Sequence, residues 1–175
     1  SCTNCPSGFV TGDTGNKDCS ECGGGSYSAG SMGQTCKNCL AGKFIQLAGT
    51  SGCKTCPLGF WQKDSGKTLC NPCGLGKYGG GSSCNVCPQG TYLDEISQKL
   101  SSSCKTCPAG RYSSETGLQN FKMCTICPKG TYSAVEGITI LTNCVQCLAG
   151  KYSTEKGCNA QVPSSVTSPD GSVHT

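Results

Sequence analysis

Cysteine pairs recur along this chain at intervals too regular to be independent. C-x-x-C begins at Cys2, Cys19, Cys36, Cys53, Cys70, Cys84, Cys104, Cys124 and Cys144, in steps of 17, 17, 17, 17, 14, 20, 20 and 20 residues. A lone Cys158 follows 14 residues after Cys144, and Gln161 stands where its partner would be. The first cysteine of each pair is here called a and the second b. Three residues beyond each b is a glycine: Gly8, Gly25, Gly42, Gly59, Gly76, Gly90, Gly110, Gly130 and Gly150. Five residues beyond is a bulky side chain: Val10, Tyr27, Phe44, Trp61, Tyr78, Tyr92, Tyr112, Tyr132 and Tyr152. Self-similarity at this period marks a quasi-one-dimensional array, in which each unit contacts its sequence neighbours.

Each offset has a local meaning. Pro follows b in five modules, at Pro6, Pro57, Pro88, Pro108 and Pro128. Cys-Pro-x-Gly suits a type I turn, with proline presetting φ at the second position and glycine at the fourth. The aromatic two residues later opens a short extended stretch, and a Gly/Ser/Lys-rich loop leads to the next cysteine. The expected fold is a small disulfide-rich repeat: an elongated rod of stacked mini-modules, mostly loop with short β-hairpins and little or no helix. The eight aromatics from Tyr27 to Tyr152 are the expected packing residues, each ring resting on a neighbouring disulfide. The best helix signal is Leu93–Leu100, where Ile96 and Leu100 share a face for about one turn. In the other long modules, Leu118 with Phe121 and Ile138 with Leu141 are expected to pack the added residues.

Nineteen cysteines in 175 residues, with 6% aromatic and 14% charged residues, place the chain among disulfide scaffolds. It has too little apolar bulk for one ordinary core, so covalent staples must hold the fold. That many thiols suit an oxidising compartment, making the expected location extracellular or cell-surface. No run approaches the ~18 apolar residues of a membrane span. The chain has neither a starting Met nor a signal peptide and reads as a processed or excised segment. The net charge is +4, the lysines form no run, and Arg111 is the single arginine, so no nucleic-acid partner is expected.

The pairing of the cysteines has three possible schemes. Joining b of one module to a of the next yields Cys5–Cys19, Cys22–Cys36, Cys39–Cys53, Cys56–Cys70, Cys73–Cys84, Cys87–Cys104, Cys107–Cys124, Cys127–Cys144 and Cys147–Cys158. Cys2 is then unpaired or bonded to an upstream partner. Joining a to b within each pair would leave Cys158 stray and place small, tight rings in a row, which are typical of exchangeable redox pairs. Interlaced pairing over longer distances is the third. The way the array ends favours the first scheme, since Cys158 closes the last loop and nothing is missing.

Sharper chemistry fares worse. Two C-x-x-C pairs about 15–20 residues apart read as a zinc site. Nineteen cysteines do not divide into fours, however, and the single histidine, His174, lies outside the array. The prolines after b also lack the N–H donors that support thiolate ligands. A redox C-x-x-C needs a βαβ context and a helix N-terminus. The G-x-G-x-x-G at Gly74, Gly76 and Gly79 lies in a loop too short for the helix a dinucleotide site requires. No catalytic residue, metal site or cofactor is therefore expected. There is no N-x-S/T sequon, while Ser and Thr in the loops leave O-glycans open.

CPAGRYSSETG (107–117) and CPKGTYSAVEG (127–137) resemble the ephrin-receptor-like cysteine-rich repeat, C-x-x-C-P-x-G-x-Y-S. The related tumour-necrosis-factor-receptor module also begins C-P-x-G-x-Y. The resemblance covers residues 2–158 and implies the same b-to-a bond. It is specific for disulfide modules and not for one function, since such repeats occur in receptor ectodomains, matrix proteins and long surface proteins. The interlaced modules of tumour-necrosis-factor receptors are missing here.

The expected organisation is a tandem array of nine disulfide-closed modules over 1–158, followed by a Ser/Thr/Pro-rich tail or linker at 159–175. The tail is expected to lack fixed structure unless a neighbouring chain holds it. The module from Cys70 is shortened to 14 residues and carries Gly79–Gly81, so a bend or change of twist is expected there. The function expected is a non-catalytic extracellular stalk, surface coat or filament whose partners are copies of itself or co-assembling proteins. The alternative is a ligand-binding receptor ectodomain, with Phe60 and Trp61 as its candidate patch. Peptide mapping without reduction tests the pairing: b-to-a linked peptides are expected, and a Cys2–Cys5 linked peptide would refute it.

Overall fold

The structure, a computed structural model, describes residues 3–12, 17–30, 35–149, 151, 153–154 and 157–158. Cys2, Gly150, Tyr152 and the 159–175 tail lie outside the described residues. Two compact units make up the chain: Ser1–Val86 with Glu95–Ser103, and Cys87–Asp94 with Cys104–Thr175. Each consists almost entirely of loop and short antiparallel strand pairs. In the first unit, Phe9–Val10 pairs with Ser20–Glu21, Ser26–Tyr27 with Lys37–Asn38, and Lys43–Phe44 with Lys54–Thr55. Phe60–Trp61 then pairs with Asn71–Pro72, and Lys77–Gly79 with Cys84–Val86. In the second, Thr91–Tyr92 pairs with Lys105–Thr106, Arg111–Tyr112 with Thr125–Ile126, Thr131–Tyr132 with Val145–Gln146, and Ser153–Thr154 with Gly157–Cys158. No α-helix occurs among the described residues; three-residue 3₁₀ turns at Ser101–Ser103, Phe121–Met123 and Leu141–Asn143 occupy the three long modules.

Eight disulfides join b to the following a: Cys5–Cys19, Cys22–Cys36, Cys39–Cys53, Cys56–Cys70, Cys73–Cys84, Cys87–Cys104, Cys107–Cys124 and Cys127–Cys144. Cys147 is also disulfide-bonded; the Cys158 side chain lies outside the described residues. Changes of module length fall wholly inside these loops, whose ends are 14, 11 or 17 residues apart. The Cα–Cα distance stays at 5.6–6.0 Å throughout. Lengthening a loop adds little closure entropy, which is why the repeat tolerates three lengths.

The turn that opens each hairpin differs from the expected type I. Its closing bond runs from the N–H four residues beyond b to the carbonyl directly after b, as in Phe60 to Pro57 and Arg111 to Pro108, at 3.0–3.1 Å. Proline is thus first and the repeated glycine third, with φ between 72° and 90° at Gly8, Gly25, Gly42, Gly59, Gly76, Gly90, Gly110 and Gly130. Positive φ at the third position is the mark of a type II turn. The reason is tertiary: the glycine N–H points at the next module. Gly25 donates to Ile45 O at 2.9 Å and Gly110 to Ser133 O at 2.8 Å.

Two further bonds repeat from module to module. The residue six beyond b donates into the following loop, as Gln62 does to Gly81 O at 2.9 Å and Leu93 to Leu118 O at 2.9 Å. The residue ten beyond b donates back to the preceding b carbonyl, as Gly66 does to Cys39 O and Gly117 to Cys87 O, both at 2.8 Å. Buried backbone groups must find partners, and these modules are too small to supply them internally. The partners come from the next module along.

The segment Leu93–Leu100 forms no helical turn, because its N–H groups are committed elsewhere: Leu93 to Leu118 O and Ser97 to Cys73 O. Ser97 takes a φ of 59°, the single positive value outside glycine among the described residues, which stops a helix there. Ile96 and Leu100 share no packed face and are 56% and 59% exposed.

The tightest constraint reaches two modules along. A methyl group on Gly59 would overlap the carbonyl oxygen of Ser97, and one on Gly8 that of Gly49. Gly59→Ala, at φ 90°, is expected to cost roughly 1–3 kcal/mol. Gly74→Ala, with nothing within 4 Å of the added carbon, should stay within about 0.5 kcal/mol of wild type. Calorimetric unfolding of the oxidised proteins distinguishes the two; equal midpoints would refute the close approach.

Candidate functional surface

The repeated side chains divide into an inner and an outer set. Cys22, Cys39, Cys73, Cys87 and Cys107 are fully buried b cysteines, and Cys56 and Cys127 nearly so. The a cysteines are partly covered, Cys124 being buried and Cys19 exposed. Val10, Tyr27, Phe44, Trp61, Tyr78, Tyr92, Tyr112 and Tyr132 are half-buried. The position one residue later is buried after each of the seven aromatics from Tyr27 to Tyr132, at Ser28, Ile45, Gln62, Gly79, Leu93, Ser113 and Ser133, while Thr11 after Val10 is half-buried. The aromatic therefore lies on the shoulder of each module, and its successor is the inward-facing residue.

Tyr92 shows the packing most fully. Its ring lies against the buried cluster of Cys107, Leu118 and Cys124, so it covers the disulfide of the next module. Its edge meets Phe121, with ring centroids 6.4 Å apart. The Arg111 guanidinium sits 5.9 Å from the Phe121 centroid and donates to Cys124 O at 2.8 Å. The expected packing of the long modules is half realised. Leu118 and Ile138 are buried, while Phe121 and Leu141 sit on the 3₁₀ turns and are 43% and 48% exposed. Three added residues make a turn that projects outward, so only the residue before it faces in.

Phe60 and Trp61 occupy an ordinary hairpin, opposite Pro72 and Asn71, and both are half-buried. Gly81 donates to Phe60 O at 3.1 Å, so the shortened module folds down onto this pair's backbone. The Gln62 side chain behind them is buried and satisfied, donating to Leu69 O at 2.9 Å and accepting from Asp64 N–H at 3.1 Å. Gly74, Gly76 and Gly79 belong to the same hairpin architecture, and the sixteen cysteines of the eight disulfides hold no free thiolate for a metal.

Charge on the described surface is sparsely paired. Lys105 Nζ lies 2.7 Å from Asp94 Oδ1, and Lys67 lies 3.8 Å from Asp64. The hydrogen bond from Lys105 holds the Asp94 carboxyl below its usual range. Asp94 thus favours the folded state above the ordinary carboxylate pKa and loses that contribution as the pH falls through its own lower value. Thr106 Oγ1 donates to Glu136 at 2.9 Å. Thr50 Oγ1 is the one buried side-chain polar atom without a partner among the described residues.

Two sets of structural residues have no counterpart in the sequence reading. The buried position after the aromatic is held by Ser, Ile, Gln, Gly and Leu in turn, so composition carries no signal of it. The glycine ten beyond b, at Gly49, Gly66, Gly117 and Gly137, does recur at a fixed offset and was open to detection.

Stacked disulfide-closed hairpins, with buried sulfurs and no large core, define a cysteine-rich repeat array. Residues 42–81 match the family model described as tyrosine-protein kinase ephrin type A/B receptor-like. Comparison with curated proteins finds no match. The disulfide ladder and this match together mark a module built for oxidising surroundings. No helix among the described residues is long and apolar enough to cross a membrane.

The division between inner and outer residues is testable. Leu118→Ala is expected to lower stability by about 2–5 kcal/mol, the range for emptying a core site. Leu40→Ala, at a side chain 70% exposed, should change it by less than about 0.5 kcal/mol. Reductant-titrated unfolding followed by tyrosine fluorescence measures both, and comparable losses would overturn the assignment.

Proposed function

We propose that this chain is a non-catalytic structural segment on the outside of a cell: a disulfide-laddered stalk, coat or filament piece. The observation that carries the reading is where the repeated residues are used. The turn glycines Gly8, Gly25, Gly42, Gly59, Gly90 and Gly110 donate to the next module, and the b cysteines Cys22, Cys39, Cys73, Cys87 and Cys107 accept from it. The residues most alike across the repeat thus serve continuity of the ladder. The disulfides resist reduction, because the buried b sulfur is shielded from an attacking thiolate.

The outward residues vary, and several are apolar. Leu40, Leu47, Val135 and Leu148 are 65–80% exposed. Isolated apolar side chains are ordinary on a surface, but several in a chain with so small a core suit lateral contact with copies of itself or with co-assembling proteins. Exposed serines and threonines in the loops suit O-glycans.

A receptor ectodomain is the second reading, favoured by the family match, whose name refers to receptor kinases. Against it stands the regularity of the Phe60–Trp61 hairpin. Electron microscopy of native material discriminates the two. Fibres or sheets containing the chain are expected, and soluble monomers that bind a protein ligand would replace this reading with the receptor one.

A further inference from the structure

Lysines that form no run in the sequence are brought around two adjoining recesses in the first unit. One recess is lined by Tyr27, Asn38, Leu40, Lys43, Gly52 and Cys53. The other includes Phe44, Gln46, Thr50 and Lys54 and shares Gly52 with the first. Hairpin register adds a third lysine: Lys37 lies directly across from Tyr27, as Lys54 does from Phe44. Lys37, Lys43 and Lys54 are exposed, and among the described residues none is in an ion pair. Neither recess is lined by a carboxylate. Between Cys22 and Leu93 the sequence holds six lysines and one acid, Asp64, which lies beside Lys67, and the nearest carboxylate to the recesses is Glu21, beside Gly49 at the edge of the second.

We propose that these recesses bind an anionic polysaccharide, one sugar acid or sulfated sugar in each. The lysine ammonium groups supply mobile point charges for sulfate or carboxylate oxygens. Tyr27 and Phe44 offer half-buried ring faces for the apolar side of a pyranose, and Asn38 and Gln46 offer amides for its hydroxyls. A shallow site with aromatic walls and a positive rim suits an extended charged glycan better than an acidic peptide, which has no flat apolar face to lay on the rings. The same two hairpins repeat the arrangement of ring and facing lysine, Tyr27 with Lys37 and Phe44 with Lys54, so successive sugar units meet successive modules.

Binding of the 175-residue chain to immobilised heparin, polygalacturonate, poly-glutamate and single-stranded DNA, at about 50 and 200 mM salt, tests the proposal. Saturable binding to heparin or polygalacturonate is expected, the preferred one identifying sulfate or uronate. The triple variant Lys37→Gln, Lys43→Gln, Lys54→Gln should weaken it at least ~10-fold and flatten its salt dependence by about two charges. Lys63→Gln with Lys99→Gln should weaken it less than about twofold, since both lie off the recesses. Tyr27→Leu with Phe44→Leu should weaken glycan binding several-fold and leave poly-glutamate unaffected. Non-reducing peptide maps identical to wild type establish that every variant is folded. Absence of glycan binding, an unchanged triple variant, or equal affinity for poly-glutamate or DNA with no response to the ring variants would each overturn the proposal.

Discussion

The bond between the second cysteine of one pair and the first of the next is the constraint on which the rest of this structure depends. It draws the two ends of each loop to within 5.6–6.0 Å. A two-residue hairpin isolated in water would not persist. Closed by the disulfide, each hairpin forms in register, with the aromatic opposite the residue after a. Loops of this length lose about 3 kcal/mol of unfolded-chain entropy per crosslink, a large contribution for so small a unit. Burial is asymmetric as a result. The b cysteine, at the root of the hairpin, is enclosed by its own turn and the next module, while its partner a is left nearer the surface.

Hydrogen bonding between modules does what a hydrophobic core does in a larger domain. The residues after Tyr27, Phe44, Trp61, Tyr78 and Tyr112 are buried with both backbone groups satisfied from outside their own modules: Ile45 accepts from Gly25 and donates to Lys67 O. Because the backbone makes these contacts, the residue there is free to be Ser, Ile, Gln or Gly. The type II turn follows from the same demand, since only positive φ at the glycine aims its N–H at the neighbour while its carbonyl accepts from the next b cysteine. Gly59, pressed against Ser97 O, shows the consequence: two modules approach so closely that a Cβ has no room.

Much of this was legible in the spacing of residues. The cysteine period, the fixed glycine and the fixed aromatic marked a repeat of disulfide-closed hairpins, and the variable loop lengths marked where insertions fall. The turn type was not legible, because Cys-Pro-x-Gly fits two turns equally well locally and the choice lies with an acceptor in another module. The weak helical spacing of Leu93–Leu100 comes to nothing for a related reason. Its apolar spacing satisfies one helical turn, yet its N–H groups bond to Leu118 and Cys73 carbonyls. The exposed face carrying Phe121 and Leu141 was likewise hidden, since a three-residue insertion reads as added packing until its 3₁₀ turn is seen to project outward.

From the sequence alone came the architecture: a staple every 14, 17 or 20 residues, a turn after each, a bulky side chain after each turn, and an oxidising compartment to hold the staples. These follow from covalent chemistry and local backbone preference, which act at short range along the chain. Only the tertiary structure decided which residue of each module faces inward, which modules touch, and which surface groups become neighbours. Lys43 and Lys54 line recesses that share Gly52, and Lys37 stands opposite Tyr27 of the first, because hairpin register and loop placement are set by bonds between modules. No single module contains that information, since the partners that fix it lie one or two repeats away.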